Sequence, residues 1–202
     1  MNIDFRRILV HCAAGVGLLA ATAMIGLDWP MNAGAAEKAE SIVADWPEIS
    51  RLTAQAMIEK HGQPNRRSMN SLTWFGLYGG RRTVVHRSNS GLSMVEQVVL
   101  YRVPAKKIGV LELFDKRITV DPNASEMTAR SESLRTDFLL LNLAHEVASG
   151  YKTAGKAREF RDKEMRLAEA GKSSRYRDGL IFEKPLPSRP GVSVFSGGEY
   201  LP

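Results

Sequence analysis

The sequence predicts an α+β protein, with helices packed on one face of a mostly antiparallel β-meander, a C-terminal pair of helices and an irregular tail. Three observations predict it. Apolar residues recur at helical spacing near residues 47–61 and again from 134 to 170. Between these stretches lie short Val-, Thr- and aromatic-rich runs separated by Gly, Pro, Ser and Asn turns. No internal repeat and no heptad series interrupts this order.

The chain opens on an export segment. Arg6 and Arg7 form a positive start, Ala13 to Leu27 is an uncharged apolar run, and Ala33-Gly34-Ala35 is an A-x-A cleavage site. An uncleaved anchor is the competing reading, because Ile8 to Leu27 approaches the length of about 20 residues that spans hydrocarbon. His11, the Ala/Gly-rich composition and the A-x-A site favour cleavage. Phe5 beside the paired arginines favours the general secretory route over the twin-arginine one, and Cys12 precedes the apolar run, which disfavours lipidation. The expected organisation is a signal peptide over 1–35, one α+β domain over 36–171 and a Pro/Gly-rich, flexible tail over 172–202.

Within the mature chain, Asp45-Trp46-Pro47-Glu48 reads as a helix start, with proline at the first helical position where its missing N–H does no harm. Ile49, Leu52, Ala56, Met57 and Ile58 mark the apolar face, and Gly62 and Pro64 stop the helix. Leu72 and Trp74 alternate as a strand, Gly76 to Gly80 make a loop, and Arg82 to His86 form a second strand. Ser88 to Gly91 is a turn. Met94 to Val103 is apolar and β-prone, hence a buried strand, although Val95, Val98 and Val99 also fit a helix.

Pro104 to Phe114 reads as a short amphipathic helix using Ile108, Leu111 and Phe114. Ile118 to Asp121, Pro122-Asn123 and Met127 to Ala129 make a hairpin. From Glu132 the period changes: Leu134, Phe138, Leu141, Ala144 and Ala148 share a helix face that ends at Gly150. Thr153 caps a last, highly charged helix reaching Ala170, with Ala157, Phe160, Met165 and Leu167 as its apolar members. Beyond Lys172, Pro185, Pro187, Pro190 and several glycines prevent regular structure over most of the tail, although Leu180 to Phe182 can dock as a strand.

Composition narrows the chemistry. The 202 residues are 44% hydrophobic and 25% charged, within the globular range. The net charge is +6, and residues 1–35 carry two arginines against two aspartates, so cleavage leaves the excess unchanged. Outside the cytoplasm such a surface meets anionic lipids and wall polymers rather than chromosomal DNA. Cys12 is the single cysteine, so the mature protein has no thiol for a disulfide, a nucleophile or a zinc–thiolate site.

Two constellations are candidates for a site. Asn142, His145 and Glu146 sit on the most apolar helix, and His-Glu is half of the zinc-protease motif. Ser149 stands where the second metal-binding histidine belongs, so the motif is broken and a core-edge histidine is the simpler account. Trp74, Tyr78, Arg81 and Arg82 surround one glycine-rich loop, a set able to stack on a ring and fork onto an anion; a hairpin with a core tryptophan is the simpler account here. His61, His86 and His145 form a metal site only if the fold brings them together. Glu112, Asp115, Asp121, Glu126, Glu132 and Asp137 lie near element ends, the usual place for carboxylates that solvate turns. No serine elbow, P-loop or dinucleotide fingerprint occurs.

The stretch from Trp46 to Phe160 resembles a family of uncharacterised exported bacterial proteins. The residues concerned are Trp46-Pro47, Met57 to Lys60 with Gly62 and Pro64, Leu72-Thr73-Trp74, Arg82 to Val85, Tyr101 to Pro104, and Asn142 to His145. Ser88 to Leu92 departs from the more acidic, His-bearing segment of that family. The helix, Gly62-x-Pro64 and the Trp-bearing strand are also locally similar to small envelope-assembly lipoprotein domains, which bind without catalysis. The expectation is a noncatalytic, soluble periplasmic protein with a binding or envelope-interaction role. The alternative is a periplasmic hydrolase or metal-dependent enzyme centred on His145. No cofactor, metal, nucleic acid or transmembrane segment after cleavage is expected. Anionic envelope components, met through Arg81, Arg82 and the last helix, or another envelope protein, are the expected partners.

Overall fold

The computed structural model describes residues 38–182. The export segment, its A-x-A site and residues 183–202 of the tail lie outside the described residues. The order of elements is α1 (Ala39–Val43), α2 (Glu48–His61), β1 (Arg66–Ser68), β2 (Ser71–Phe75), a 3-10 turn (Leu77–Gly79), β3 (Arg82–His86) and β4 (Val95–Leu100). There follow α3 (Ala105–Phe114), β5 (Ile118–Asp121), β6 (Glu126–Ser131), α4 (Leu134–Ala148), α5 (Ala154–Glu169) and α6 (Arg175–Asp178).

The six strands form one antiparallel sheet in the order β1-β2-β3-β4-β6-β5. Strands β1 to β4 are a meander. Pro104 ends the extended chain after β4 and opens α3, where its missing N–H costs no hydrogen bond. The β5–β6 hairpin then returns with β6 beside β4. Its turn is held by Asp121 Oδ1, which accepts from the backbone N–H groups of Asn123 (2.9 Å) and Ala124 (3.0 Å).

All helices that pack on the sheet use one face, because the strands alternate. Leu72, Trp74 and Val85 join Val43, Trp46, Ala54 and Ile58 in one core under α1 and α2. Val99, Ile118, Met127 and Ala129 join Leu111, Phe114, Leu140, Leu143, Val147 and Ala157 in a second core under α3, α4 and α5. The expected α+β class, with helices on one face of an antiparallel sheet, is therefore the observed one. The other face carries Arg82, His86, Glu96, Thr128 and Arg130 around the buried Val84 and Val98.

A polar seam separates the two cores. Register sets Thr83 opposite Gln97, and Gln97 opposite Ala129. Thr83 Oγ1 donates to Gln97 Oε1 at 2.6 Å, and Ser131 Oγ donates to Asp137 Oδ1 at 2.7 Å. All four residues are buried and belong to neither core. Tyr78 bridges this seam: its hydroxyl lies 2.6 Å from His61 Nε2 on α2, and its ring meets Phe138 of α4 edge-on.

The run from Met94 to Val103 is a buried strand as expected, over Val95–Leu100, paired with β3 on one side and β6 on the other. Other elements correct the sequence reading. Helix α2 turns a different face inward: Ser50, Ala54 and Ile58 are buried, whereas Ile49 and Leu52 are more than half exposed. Small side chains let the helix sit close, and Ser50 Oγ donates to Pro47 O at 3.0 Å. Helix α1 and strand β1 had no signal strong enough to read. Residues 172–182, assigned to the tail, carry α6, and Leu180 to Phe182 dock without forming a strand. No helix among the described residues is long and apolar enough to cross a membrane.

Candidate functional site

Helix α4 starts cleanly, with the Ser133 side chain accepting from the N–H of Thr136, and it presents Asn142, His145 and Glu146 along one side. All three line a cleft of about 350 Å³ with Tyr151, Arg175, Ile181 and Phe182. The sequence pattern thus does converge in space, but the Asn142 amide and the Glu146 carboxylate are already occupied.

Asn142 is fully buried and its amide is committed to the segment that follows α5. Nδ2 donates to Tyr176 O (3.0 Å) and Gly179 O (2.8 Å), and Oδ1 accepts from Ile181 N (2.9 Å). Glu146 accepts from the Tyr176 hydroxyl at 2.8 Å and from Lys152 Nζ at 2.8 Å. Burial depresses the Lys152 ammonium but the Glu146 carboxylate outweighs it, so the lysine is held above its ordinary value. Burial and the Glu146 hydrogen bond both raise the Tyr176 hydroxyl. Both candidates therefore fasten α6 to α4.

His145 stacks on Phe182, with ring centroids 4.6 Å apart and planes 11° from parallel. Its Nδ1 lies 2.9 Å from the Tyr101 hydroxyl and 3.5 Å from the Ser149 hydroxyl. Burial lowers the imidazole below its ordinary value, against an opposing pull from Glu146, so the ring is neutral at pH 7. When Nδ1 accepts from the Tyr101 hydroxyl the ring proton sits on Nε2, a donor toward a ligand; when Nδ1 donates to that hydroxyl, Nε2 is free to accept a proton.

The three histidines find different partners. His61 meets Tyr78, His86 Nε2 meets Glu96 Oε2 at 3.1 Å on the open sheet face, and His145 meets Tyr101. No group of three His, Cys, Asp or Glu side chains is placed to hold a metal ion among the described residues.

The loop constellation is divided by the pleat. Trp74 points into the first core, 2% exposed, and its Nε1 donates to Gly62 O at 3.0 Å. Arg82, one position out of phase across the β2–β3 pair, lies on the opposite face. Arg81 Nε and Arg82 Nη1 both reach Glu126 Oε1, at 3.0 and 2.9 Å, and that carboxylate is buried. Two cations of the basic helix α5 are likewise engaged. Arg161 Nη1 pairs with Asp115 Oδ2 at 2.8 Å, and Arg158 donates to Leu113 O. Burial alone would raise Asp115, but Arg117 and Arg161 hold it below the ordinary carboxylate range.

Tyr78 is the member that reaches a cleft. It has φ 53°, in the left-handed region, and is flanked by Gly76 (φ 72°) and Gly79 (φ 69°), which adopt that region without a Cβ clash. With Lys60, Leu134, Arg135, Phe138, Arg177 and Asp178 it lines an opening of about 320 Å³ between α2, α4 and α6. Burial and the neighbouring Lys60 charge both depress His61, so the imidazole against Tyr78 is neutral at pH 7. The Arg177 Nε is buried and has no hydrogen-bond partner among the described residues.

Sequence reading missed Lys60, Arg135 and Arg177, which are three of 28 basic residues and far apart along the chain. It also placed Asp137 at a helix end without its burial. Asp137 is fully buried, its Oδ2 has no partner among the described residues, and desolvation pushes its carboxyl well above the ordinary range. Comparison of the chain with family models, curated proteins and solved structures finds no match.

Proposed function

We propose that the protein is a noncatalytic binding protein of the bacterial periplasm, with a role in contacts with envelope components. The observation that carries this reading is the use made of Asn142 and Glu146. The candidate constellation on α4 commits its amide and carboxylate to docking the segment from Tyr176 to Phe182, leaving α6 fixed beside open clefts. Export rests on the Arg6-Arg7 start, the apolar run and Ala33-Gly34-Ala35, and the mass of the N-terminus of the protein recovered from the periplasmic fraction tests it.

One observation favours a second reading, a hydrolase centred on His145. The ring is neutral, it lines a cleft of about 350 Å³, and Nε2 has no partner among the described residues. Metal analysis and a broad hydrolase screen separate the two. The binding reading expects neither metal nor turnover; turnover abolished by His145→Ala, with the fold intact by circular dichroism, replaces it with the enzyme.

A further inference from the structure

We propose that the cleft between α2, the 3-10 turn, α4 and α6 binds the phosphate monoester of a small ligand through Lys60, Arg135 and Arg177, with Tyr78, Leu134 and Phe138 against the ligand's apolar or ring-bearing part. This rests on the binding reading and names its ligand class.

Charge is the first argument. Among the described residues, three cations line the opening and Asp178 is its single carboxylate. That carboxylate lies 4.0 Å from Arg135 Nη2, with the two side chains 52% and 65% exposed, so it is a weak partner for one cation and none for the others. Lys60 forms no ion pair among the described residues, and its ammonium lies 5.4 Å from the Tyr78 ring centre. Arg177 also has no ion pair there, and its buried Nε is an orphan donor. An unpaired guanidinium set partly into a protein wall is costly without an anion to meet it.

Shape and chemistry give the class. Three cations carried by three separate elements suit a dianion whose terminal oxygens point in different directions, as in a phosphate monoester, better than a planar carboxylate. A volume of about 320 Å³ admits the group and a small attached body. The apolar wall of Leu134, Phe138 and Tyr78 gives that body a surface.

The sequence constellation on α4 acts here at a distance. Asn142 holds the carbonyls of Tyr176 and Gly179, the residues on either side of Arg177 and Asp178, and Glu146 holds the Tyr176 hydroxyl. These are positioning residues for α6. Across the cleft, Tyr78 is tied to His61, which anchors the turn to the end of α2 next to Lys60.

The test titrates the protein, purified as it accumulates after expression, with phenyl phosphate by calorimetry. In parallel, phosphatidylcholine vesicles carry either phosphatidic acid, whose headgroup is a phosphate monoester, or phosphatidylglycerol, a diester. One phenyl phosphate per chain is expected, bound at least tenfold more weakly by Arg177→Met and by Lys60→Met. Methyl phenyl phosphate, with one charge, should bind at least tenfold more weakly to the unaltered protein. Lys60 is exposed, so its variant keeps the test valid even where Arg177→Met fails to fold. Retention on phosphatidic acid alone, lost in Lys60→Met, supports the same site with a lipid-borne source; phenyl phosphate alone supports a soluble one. Failure of both probes, or equal binding by the unaltered and Lys60→Met proteins, overturns the site. Equal binding leaves the broader binding reading standing, whereas His145-dependent turnover removes that reading itself.

Discussion

Replacing Asn142 by alanine removes the three hydrogen bonds that dock the segment after α5 onto α4, at 3.0, 2.8 and 2.9 Å. At a net contribution of about 1 kcal/mol each, the docking loses about 3 kcal/mol. What remains includes the Tyr176–Glu146 hydrogen bond, the Phe182–His145 stack and the packing of Tyr176, Leu180 and Phe182 on the second core. The amide of Arg177 reports the effect well, because it bonds to Ser174 O at 2.8 Å and not to Asn142. A loss of about 3 kcal/mol lowers its hydrogen-exchange protection by on the order of 100-fold. If the segment instead unfolds with the rest of the domain, the melting temperature falls by roughly 6–12 °C for a chain of this size. Asn142→Asp should do at least as much harm, since it turns a carboxylate toward two carbonyl oxygens. Protection of Arg177 within about threefold of the unaltered protein, together with a melting temperature unchanged by Asn142→Ala, would refute the docking argument.

Asp137→Asn isolates a buried acid. The folded-state pKa of Asp137 is raised above the unfolded value by burial, so its stabilising protonated form is complete below the ordinary carboxylate value and is lost as pH rises toward the folded value. Urea midpoints at pH 4, 5.5 and 7 should show the stability difference between variant and parent moving in favour of Asp137→Asn as pH rises, because the amide stays neutral throughout. A difference that is flat across the series would contradict the raised value. Asp115→Asn behaves with the opposite sign. Arg117 and Arg161 hold that carboxyl below its ordinary value, so its contribution of about 2 kcal/mol is present at pH 7 and fades as pH falls through the folded value. A pH-independent cost in the same urea series would argue against it. Gly80→Ala tests the polar seam: Gly80 has an ordinary extended backbone, but a Cβ there would lie 1.7 Å from Gln97 Nε2. The expected cost is about 1–3 kcal/mol, and more than half of it should vanish in a Gln97→Ala background, read by a double-mutant cycle.

The candidate site was only partly legible in the sequence. Asn142, His145 and Glu146 do share a cleft, as i, i+3 and i+4 on one helix must. Their partners come from Tyr101, Tyr176, Gly179 and Ile181, and spacing within a helix carries no information about residues so remote in the chain. The loop set failed for the opposite reason. Trp74, Arg81 and Arg82 are close in sequence, but the two-residue period of a strand sends Trp74 and Arg82 to opposite faces once the β2–β3 register is set. Arg177 gives no signal at all, since what distinguishes it is an unpaired, partly buried guanidinium.

By itself the sequence determined much of the local structure. The strand Arg82–His86, the hairpin beginning at Ile118–Asp121, the helix from Ala105 to Phe114 and the Thr153 cap are set by side-chain period, turn residues and capping chemistry within a few positions. Only the tertiary structure decided which face of α2 is buried, because Ser50 and Ala54 win by fitting closely and not by hydrophobicity. It also decided that β6 lies beside β4, that Arg82 meets Glu126 and Arg161 meets Asp115, and that Lys60, Arg135 and Arg177 face one opening. Those outcomes depend on distances between residues remote in the chain, and packing of the two cores is what sets such distances.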